Sequence, residues 1–550
     1  MGGIGSYVRR AVGALASIGH DVHVFTFTLP ADVRANVPAG LNLHECASLA
    51  ARVETGELPA NLAAALNAGG EGVYRLAIGQ MLTSAFLEEH ARQPFDVVEV
   101  PEVEALGLPL LLNEHIHVPV VTHLHCATAI AYEANNVAVG QSERLMIELE
   151  AAGIGLAENI CAPTRRVVEL TRRHVNSDIH ATIIPYSITV SDRDFTPPPA
   201  NGPVLFIGRL ERLKGVELLA AALKPFLEAN PEATCRLAAP DTNTGPDGRS
   251  MRAHMETVIG PKLLPRVTFL GEVSQDVLAK ELATASFCVM PSLCENFSMA
   301  VCEAMASGRA VLVTEGTGLV EVVADAHLIA PATADDLAGR MTCLWRDRRE
   351  LAEHSIKAKQ HIATLCEPTA IGHRRVAFYQ STIDRFSTVG LNERNAKIAA
   401  LPAVYRATVA LAGALCGCNT NGSTSAGARL LRICDMIERK TGSRATITLY
   451  GAGKHTTKLL SEKYLWESRG HRVAGILDDH PRFSQSPVFL GLPVRSVSQA
   501  VSIAKAGETI APVVLSTDTY EDQFWQQTAP LRELGVAVHR LYSTDDNKHD

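Results

Sequence analysis

The sequence predicts an α/β protein built from parallel, doubly wound sheets in three successive units. Three observations carry this. Short apolar runs alternate with longer helical patterns along most of the 550 residues, which is how strands buried on both faces read. A Pro-rich break, Pro197-Pro198-Pro199 followed by Gly202, separates two such series. A strand, glycine turn and helix then begin afresh at Thr446. A chain this long exceeds one core, and the usual domain size suggests about three or four.

In the first series, Val22–Thr26, Asp96–Val100 and Pro119–Leu124 read as buried parallel strands, and Tyr7–Ile18 as a helix. The second series places strands at Val204–Ile207, Thr234–Ala238, Val267–Leu270, Phe287–Met290 and Ala310–Val313, with helical patterns between them. A polar helix follows over Arg346–Ala363, then another over Thr369–Thr382, which Phe378 and Tyr379 anchor to a core. Thr388–Gly427 is a weakly patterned connector. The last unit has strands at Thr446–Tyr450, Val473–Leu477, Val513–Ser516 and Val536–Leu541.

With 47% hydrophobic and 20% charged residues, the composition is ordinary and globular. A net charge of −8 argues against a general nucleic-acid partner, which needs a basic stripe. Local basic patches stay compatible with a phosphorylated ligand or a peripheral membrane contact. No apolar run reaches 18 residues; Ala399–Cys416 contains Pro402 and Arg406 and reads as a buried helix or hairpin. The first residues carry neither a charged start nor a leading apolar run. Twelve cysteines lie scattered without metal spacing, and Cys416-Gly-Cys418 reads as buried or idle thiols. Cytoplasm is the expected location, compatible with attachment to the inner face of the membrane.

The chemistry gathers in four segments. Glu295 and Glu303 stand eight positions apart, the first in a loop leaving an apolar strand, the second within a helix. Carboxylates accept two O–H hydrogen bonds each and so suit vicinal sugar hydroxyls. The N–H groups near Phe297 to Ala300, at the helix start, suit a diphosphate. Arg209 and Lys214 follow another strand and precede a helix at Val216, where a guanidinium fork and a point charge neutralise a departing diphosphate. Gly2, Gly3 and Gly5 precede the first helical pattern and let backbone approach a ligand. His125 ends an apolar strand, with His123 two positions earlier on the same face.

In order, spacing and local structure, Gly2-Gly-Ile-Gly-Ser-Tyr-Val8, His123-Leu-His125, Phe206–Gly215 and Glu295–Glu303 resemble the retaining glycosyltransferases of the GT-B fold. Glycosyltransferase family 4 is the nearest group. The resemblance covers roughly residues 1–385. It implies two Rossmann-like domains in a GT-B arrangement, and a third small Rossmann-like α/β domain follows. It implies donor-phosphate binding by Arg209 and Lys214, sugar hydroxyls on Glu295, ribose on Glu303 and a sugar contact at His125. Gly2, Gly3, Asn296, Phe297 and Ser298 complete the implied donor site. Asn296, Phe297 and Ser298 replace the family's usual glycine-containing turn, so side chains at 296 and 298 are expected to narrow the sugar pocket. The family begins with a strand before the glycine loop, whereas this sequence starts at the loop; a start missing about ten or more residues is the expectation, since a lost central strand would expose sheet edges.

The expected domains are 1–195 (acceptor side), 196–370 (donor side), a returning helix 371–387, a connector 388–443 and a Rossmann-like unit 444–546. The implied reaction moves a hexose from a nucleoside-diphosphate sugar to a glycan or lipid-linked acceptor in polysaccharide or glycoconjugate assembly, with retention. Without an Asp-x-Asp motif near the site, no metal or cofactor is expected; cations and helix dipoles carry the leaving charge. The alternative is a non-catalytic nucleotide-sugar sensor or scaffold. In the last unit Gly451, Gly453, Thr456 and Asp478 approximate a dinucleotide fingerprint. Nucleotide binding and a purely structural role stay open there, and an NAD(P) oxidoreductase is a third, weaker reading.

Overall fold

The computed structural model describes residues 3–27, 29, 34, 37, 41–48, 51, 70–113, 116, 118–175, 178–190, 195–386, 395–415, 426–452, 454–461, 463–467, 470–484, 487–516 and 521–541. Gly2, Gly453 and the Cys416/Cys418 pair lie outside the described residues. The chain divides into two compact units, one of residues 1–79, 96–112 and 117–406, the other of 80–95, 113–116 and 407–550.

The first unit holds two lobes. In the N-terminal lobe β1 (His23–Phe27) and β2 (Asn42–Cys46) form a parallel pair. A second parallel sheet runs β3 (Val98–Pro101), β4 (Val120–His123), β5 (Asn159–Ala162) and β6 (Ala181–Ile183), in that order. β4 is fully buried, whereas β3 is half-buried along its length. The sequence left β2, β5 and β6 unread because Asn-Leu-His-Glu-Cys, Asn-Ile-Cys-Ala and Ala-Thr-Ile are too polar or too short to stand out.

The second lobe contains β7 (Val204–Ile207), β8 (Cys235–Ala238), β9 (Val267–Phe269), β10 (Phe287–Met290), β11 (Val311–Thr314) and β12 (Ile329–Ala330), ordered β12-β11-β10-β7-β8-β9 and parallel throughout. Phe206, Phe287 and Val289 in its central strands are 1%, 0% and 0% exposed, so these runs are apolar because both faces meet helices. Strand order reverses between β7 and β10, which opens a crevice at their carboxyl ends.

The glycine cluster differs from expectation. The first helix runs Gly3–Ser17, so Gly3 and Gly5 occupy its first turn rather than a loop before it. The helix Pro368–Arg385 lies against it; at Gly372 a Cβ would meet the Ala14 carbonyl oxygen at 3.0 Å, so close approach demands glycine. Arg375 of that helix is 1% exposed and donates to Glu99 at 3.1 Å, as does Tyr379 Oη at 2.7 Å, while Phe378 packs on Val121 and Ile184. The chain therefore leaves the N-terminal lobe near Ile188 and returns near Cys366. There the Ile188 N–H donates to the Cys366 carbonyl at 2.8 Å.

In the other unit, β13 (Thr446–Tyr450), β14 (Arg472–Leu477), β15 (Val488–Phe489), β16 (Leu492–Arg495), β17 (Val513–Leu515) and β18 (Val538–Arg540) form one sheet ordered β15-β16-β14-β13-β17-β18. Only β15 is antiparallel to its neighbour. The segment read as a weakly patterned connector contains helices Ala403–Leu415 and Ala426–Thr441. The first falls within Ala399–Cys416, which the sequence reads as a buried helix or hairpin; the second is amphipathic, and the Gly/Ser/Asn-rich run before it masks its start. Among the described residues no helix is long and apolar enough to cross a membrane.

Candidate active site

Two loops leave the carboxyl ends of β7 and β10, one reaching Gly215 and the other Ser298. Gly215 holds φ at +68°, and a Cβ there would collide with the Pro291 carbonyl oxygen, so glycine alone lets the loops touch. The Leu213 carbonyl accepts from the N–H groups of Leu293 and Cys294 at 2.9 and 3.1 Å, knitting the loops together. Lys214 Nζ thereby reaches the Glu295 carboxylate in an ion pair whose side chains are 23% and 13% exposed. Arg209 stands at the rim, 63% exposed, with Nε 3.0 Å from Glu211.

Ser298 caps the helix Met299–Ala306 through Oγ, which accepts from Val301 N–H at 3.4 Å. Glu303 lies in this helix, and Arg10 of the helix Gly3–Ser17 pairs with it across the lobes at 2.6 Å. Arg10 escaped the sequence reading, because one arginine in an amphipathic helix has no motif around it.

Asn296 is 4% exposed and bridges the lobes. Its Nδ2 donates to the His125 carbonyl at 2.6 Å, and its own carbonyl accepts from Thr164 Oγ1 at 3.1 Å. Phe297 packs its ring 4.7 Å from that of Tyr186. Of the side chains expected to narrow a sugar pocket, Asn296 ties the lobes and Ser298 caps the start of a helix.

His125 and His123 part company. His123 is fully buried, with Nδ1 3.2 Å from Tyr7 Oη and 3.0 Å from Cys161 Sγ. It belongs to a core network with Glu99, which also accepts from Tyr7 and Arg375. His125 is partly exposed; its Nδ1 lies 2.8 Å from Tyr186 Oη and its N–H donates to Glu102 at 2.6 Å. Burial, with a smaller contribution from His123, holds the His125 pKa well below the usual histidine range. A neutral imidazole suits a sugar hydroxyl better than a phosphate.

Behind His125 lies a pair of unusual acids. Burial, reinforced by Glu150, pushes Glu102 up to about 8, and burial pushes Glu150 to about 7. Glu102 Oε2 is buried without a partner. Glu150 binds the start of the helix Thr128–Ala134, accepting from Thr128 N–H at 2.6 Å. Two thiols also influence each other here: Cys126, beside His125, and Cys294, beside Glu295. The Cys126 thiol is the main cause lowering the Cys294 pKa, and Cys294 in turn raises that of Cys126. Neither thiol was singled out in sequence, because their partnership spans the two lobes.

In the other unit Gly451 follows β13 at φ +103°. Its carbonyl accepts from Thr456 Oγ1, which also lies 2.7 Å from Ser516 Oγ at the end of β17. Asp478 Oδ2 accepts from Ala452 N–H at 2.5 Å, and Thr456 is 1% exposed. These groups come together where strand order reverses, but they bind one another.

A crevice between two Rossmann-like lobes, floored by cations, helix N–H groups and paired acids, defines a transferase of the GT-B type. Residues 2–187 match the model of a glycosyl transferase 4-like domain, and residues 202–347 match that of glycosyl transferases group 1. The chain belongs to this glycosyltransferase family. It is 27% identical over 357 residues to a D-inositol 3-phosphate glycosyltransferase of Streptomyces bingchenggensis (strain BCW-1), covering 59% of this chain and 72% of the relative. A protein of that description from Actinosynnema mirum is 25% identical over 400 residues, covering 68% and 88%. Among solved structures, sucrose-phosphate synthase from Thermosynechococcus elongatus superimposes with a TM-score of 0.51 at 21% identity, covering 69% of this chain and 93% of that one. That likeness shows the fold.

Proposed function

We propose that the chain transfers a hexose, with retention, from a nucleoside-diphosphate sugar to a glycan or lipid-linked acceptor. The observation that carries this is the Lys214–Glu295 pair at the mouth of β7 and β10, within a crevice lined from the other lobe by neutral His125. Lys214 and the capped helix start supply positive potential for the diphosphate, and Arg209 at the rim adds a second cation. Glu295 accepts from sugar hydroxyls, and Glu303 from ribose once Arg10 shifts. The acceptor hydroxyl attacks the anomeric carbon on the face from which the diphosphate leaves. The new C–O bond forms as the old one breaks, and the acceptor proton passes to the departing phosphate oxygen.

This reading requires no metal, and activity is expected to survive exhaustive chelation. Polysaccharide or glycoconjugate assembly at the inner membrane face is its proposed setting. An inositol phosphate is a second candidate acceptor, favoured by the names of the relatives. In the last unit a nucleotide site at Gly451, Gly453, Thr456 and Asp478 remains one of two readings, the other being purely structural.

The test is transfer itself. Thermal-shift screening of nucleotide-sugars identifies the donor, because a bound ligand raises apparent stability. Proton NMR of the product then reads the anomeric configuration. Arg209→Ala, Lys214→Ala and Glu303→Ala are each expected to lower transfer at least tenfold, about 1.4 kcal/mol. Near-wild-type rates in all three would remove the site; donor binding with neither transfer nor hydrolysis would favour a sensor.

A further inference from the structure

A second cluster of ligating groups lies away from the crevice, at the outer end of the second lobe. His327 sits in the short turn Ala326–Leu328 that precedes β12, the edge strand of the sheet. Glu350 and His354 are four residues apart on the helix Arg348–Leu365 and therefore share a face. One ligand atom from each of the three falls within 4.8 Å of the others. His354 Nε2 lies 3.4 Å from Glu350 Oε1, and His327 Nδ1 lies 4.0 Å from that same oxygen. Tetrahedral zinc, with bonds of about 2.0–2.1 Å, sets its ligand atoms roughly 3.3–3.5 Å apart. One separation already fits. The other closes by a small rotation of His327, whose side chain is 64% exposed.

Asp325 makes the arrangement more than a chance meeting. Its Oδ2 accepts from His354 Nδ1 at 2.7 Å, and its Oδ1 accepts from the His327 backbone N–H at 3.0 Å. The first bond fixes the imidazole tautomer whose Nε2 lone pair faces outward, as outer carboxylates do for metal-bound histidines. The second holds the turn that carries His327. His354 is itself nearly buried, with 5% of its side chain exposed, so its ring is pinned.

We propose that His327, Glu350 and His354 form a binding site for a zinc-class divalent cation, with Asp325 orienting His354. Two imidazoles and one carboxylate favour zinc, cobalt or nickel over the oxygen-seeking magnesium and calcium. Three protein ligands leave a fourth position for water. The ion would staple the turn before β12 to the helix behind it and so stabilise the edge of the sheet. The other cluster of this kind among the described residues, Glu99, His123 and Cys161, is a poorer candidate, because Arg375 already places a buried cation on Glu99.

Zinc titration of the chelator-stripped full-length protein, in competition with a chromophoric chelator, tests the site. One equivalent is expected to bind, with cobalt giving the intense visible bands of a four-coordinate ion. His327→Ala and Glu350→Gln are expected to weaken binding at least tenfold, and Asp325→Asn by about 10- to 100-fold. Circular dichroism checks folding, and donor turnover of the two surface variants should stay within twofold of wild type. Absence of a bound equivalent in the wild type overturns the proposal. So does binding that survives His327→Ala and Glu350→Gln but is lost in Cys161→Ser, which would place the ion in the other cluster.

Discussion

The Asn296 side-chain amide donates to the backbone carbonyl of His125 at 2.6 Å, joining the loop after β10 to the end of β4 in the opposite lobe. One residue upstream of Asn296 is Glu295, and one downstream of His125 is Cys126, so this bond, with Thr164–Asn296 and Arg10–Glu303, aligns the two sides of the crevice. Removing it takes a donor from the part-buried His125 carbonyl, at a cost of up to about 1–3 kcal/mol. Asn296→Ala should therefore lower kcat/KM about tenfold or more, with Asn296→Gln recovering little because the longer chain misplaces the amide. Steady-state kinetics on the identified donor checks this, and an unchanged kcat/KM in Asn296→Ala would show that the bond has no part in aligning the lobes.

Lys214 and Arg209 should separate stability from catalysis. Lys214→Ala strips a largely buried Glu295 of its counter-charge, so both transfer and melting temperature should fall. Arg209→Ala touches an exposed side chain and should leave melting within about 0.5 kcal/mol of wild type while still lowering transfer. Thermal melts run beside kinetics decide. Equal destabilisation by the two changes contradicts the assigned positions.

The stability contributed by protonated Glu102 and Glu150 should fall as pH rises into the mildly alkaline range. Glu102 and Glu150 titrate near 8 and 7 in the fold, above the ordinary glutamate value near 4.5. Between those values the unfolded chain has released protons that the folded one retains, so this contribution is full below about pH 4.5. It is lost with a slope of up to about 1.4 kcal/mol per pH unit for each group. Below about pH 6.5 the buried, neutral His123 and His125 act in the opposite sense, so denaturant titrations from about pH 6.5 to 8.5 should show the decline. Glu102→Gln, which keeps an uncharged acceptor, should flatten it; an identical slope in that variant would contradict the assignment.

Cys294 should be the reactive thiol of the crevice. The neighbouring Cys126 thiol lowers its pKa, which favours the reactive thiolate. Alkylation by iodoacetamide should begin at lower pH than for a free thiol, abolish transfer and be slowed by bound donor. Cys126→Ala should shift that alkylation profile upward. Peptide mass mapping reads the site; preferential labelling of Cys126 would reverse the roles.

Much of the second lobe was legible because its strands are pure apolar runs: Val204–Ile207 and Phe287–Met290 have the same limits in sequence and structure. Arg209, Lys214 and Glu295 stand out in the sequence because they follow such runs closely, and Glu303 because it lies eight positions after Glu295. What stayed hidden depends on contacts between distant segments. Nothing local marks Arg10 as the partner of Glu303, or Cys126 as that of Cys294. The burial that neutralises Glu102 arises only once β3, β4 and the helix Gln141–Leu156 assemble. The glycine cluster misled for a related reason, since a helix can begin on glycine when tertiary packing supplies what propensity lacks.

The hydrogen bond between Ile188 and Cys366 places the outgoing and returning passages of the chain side by side. Two adjacent tethers act like the paired leaves of a door hinge. They resist sliding and twisting far more than swinging about the line through both. Relative movement of the lobes is thereby expected to be mainly a swing about these tethers, and such a swing loads the Arg10–Glu303 and Asn296–His125 contacts, which join the same two lobes.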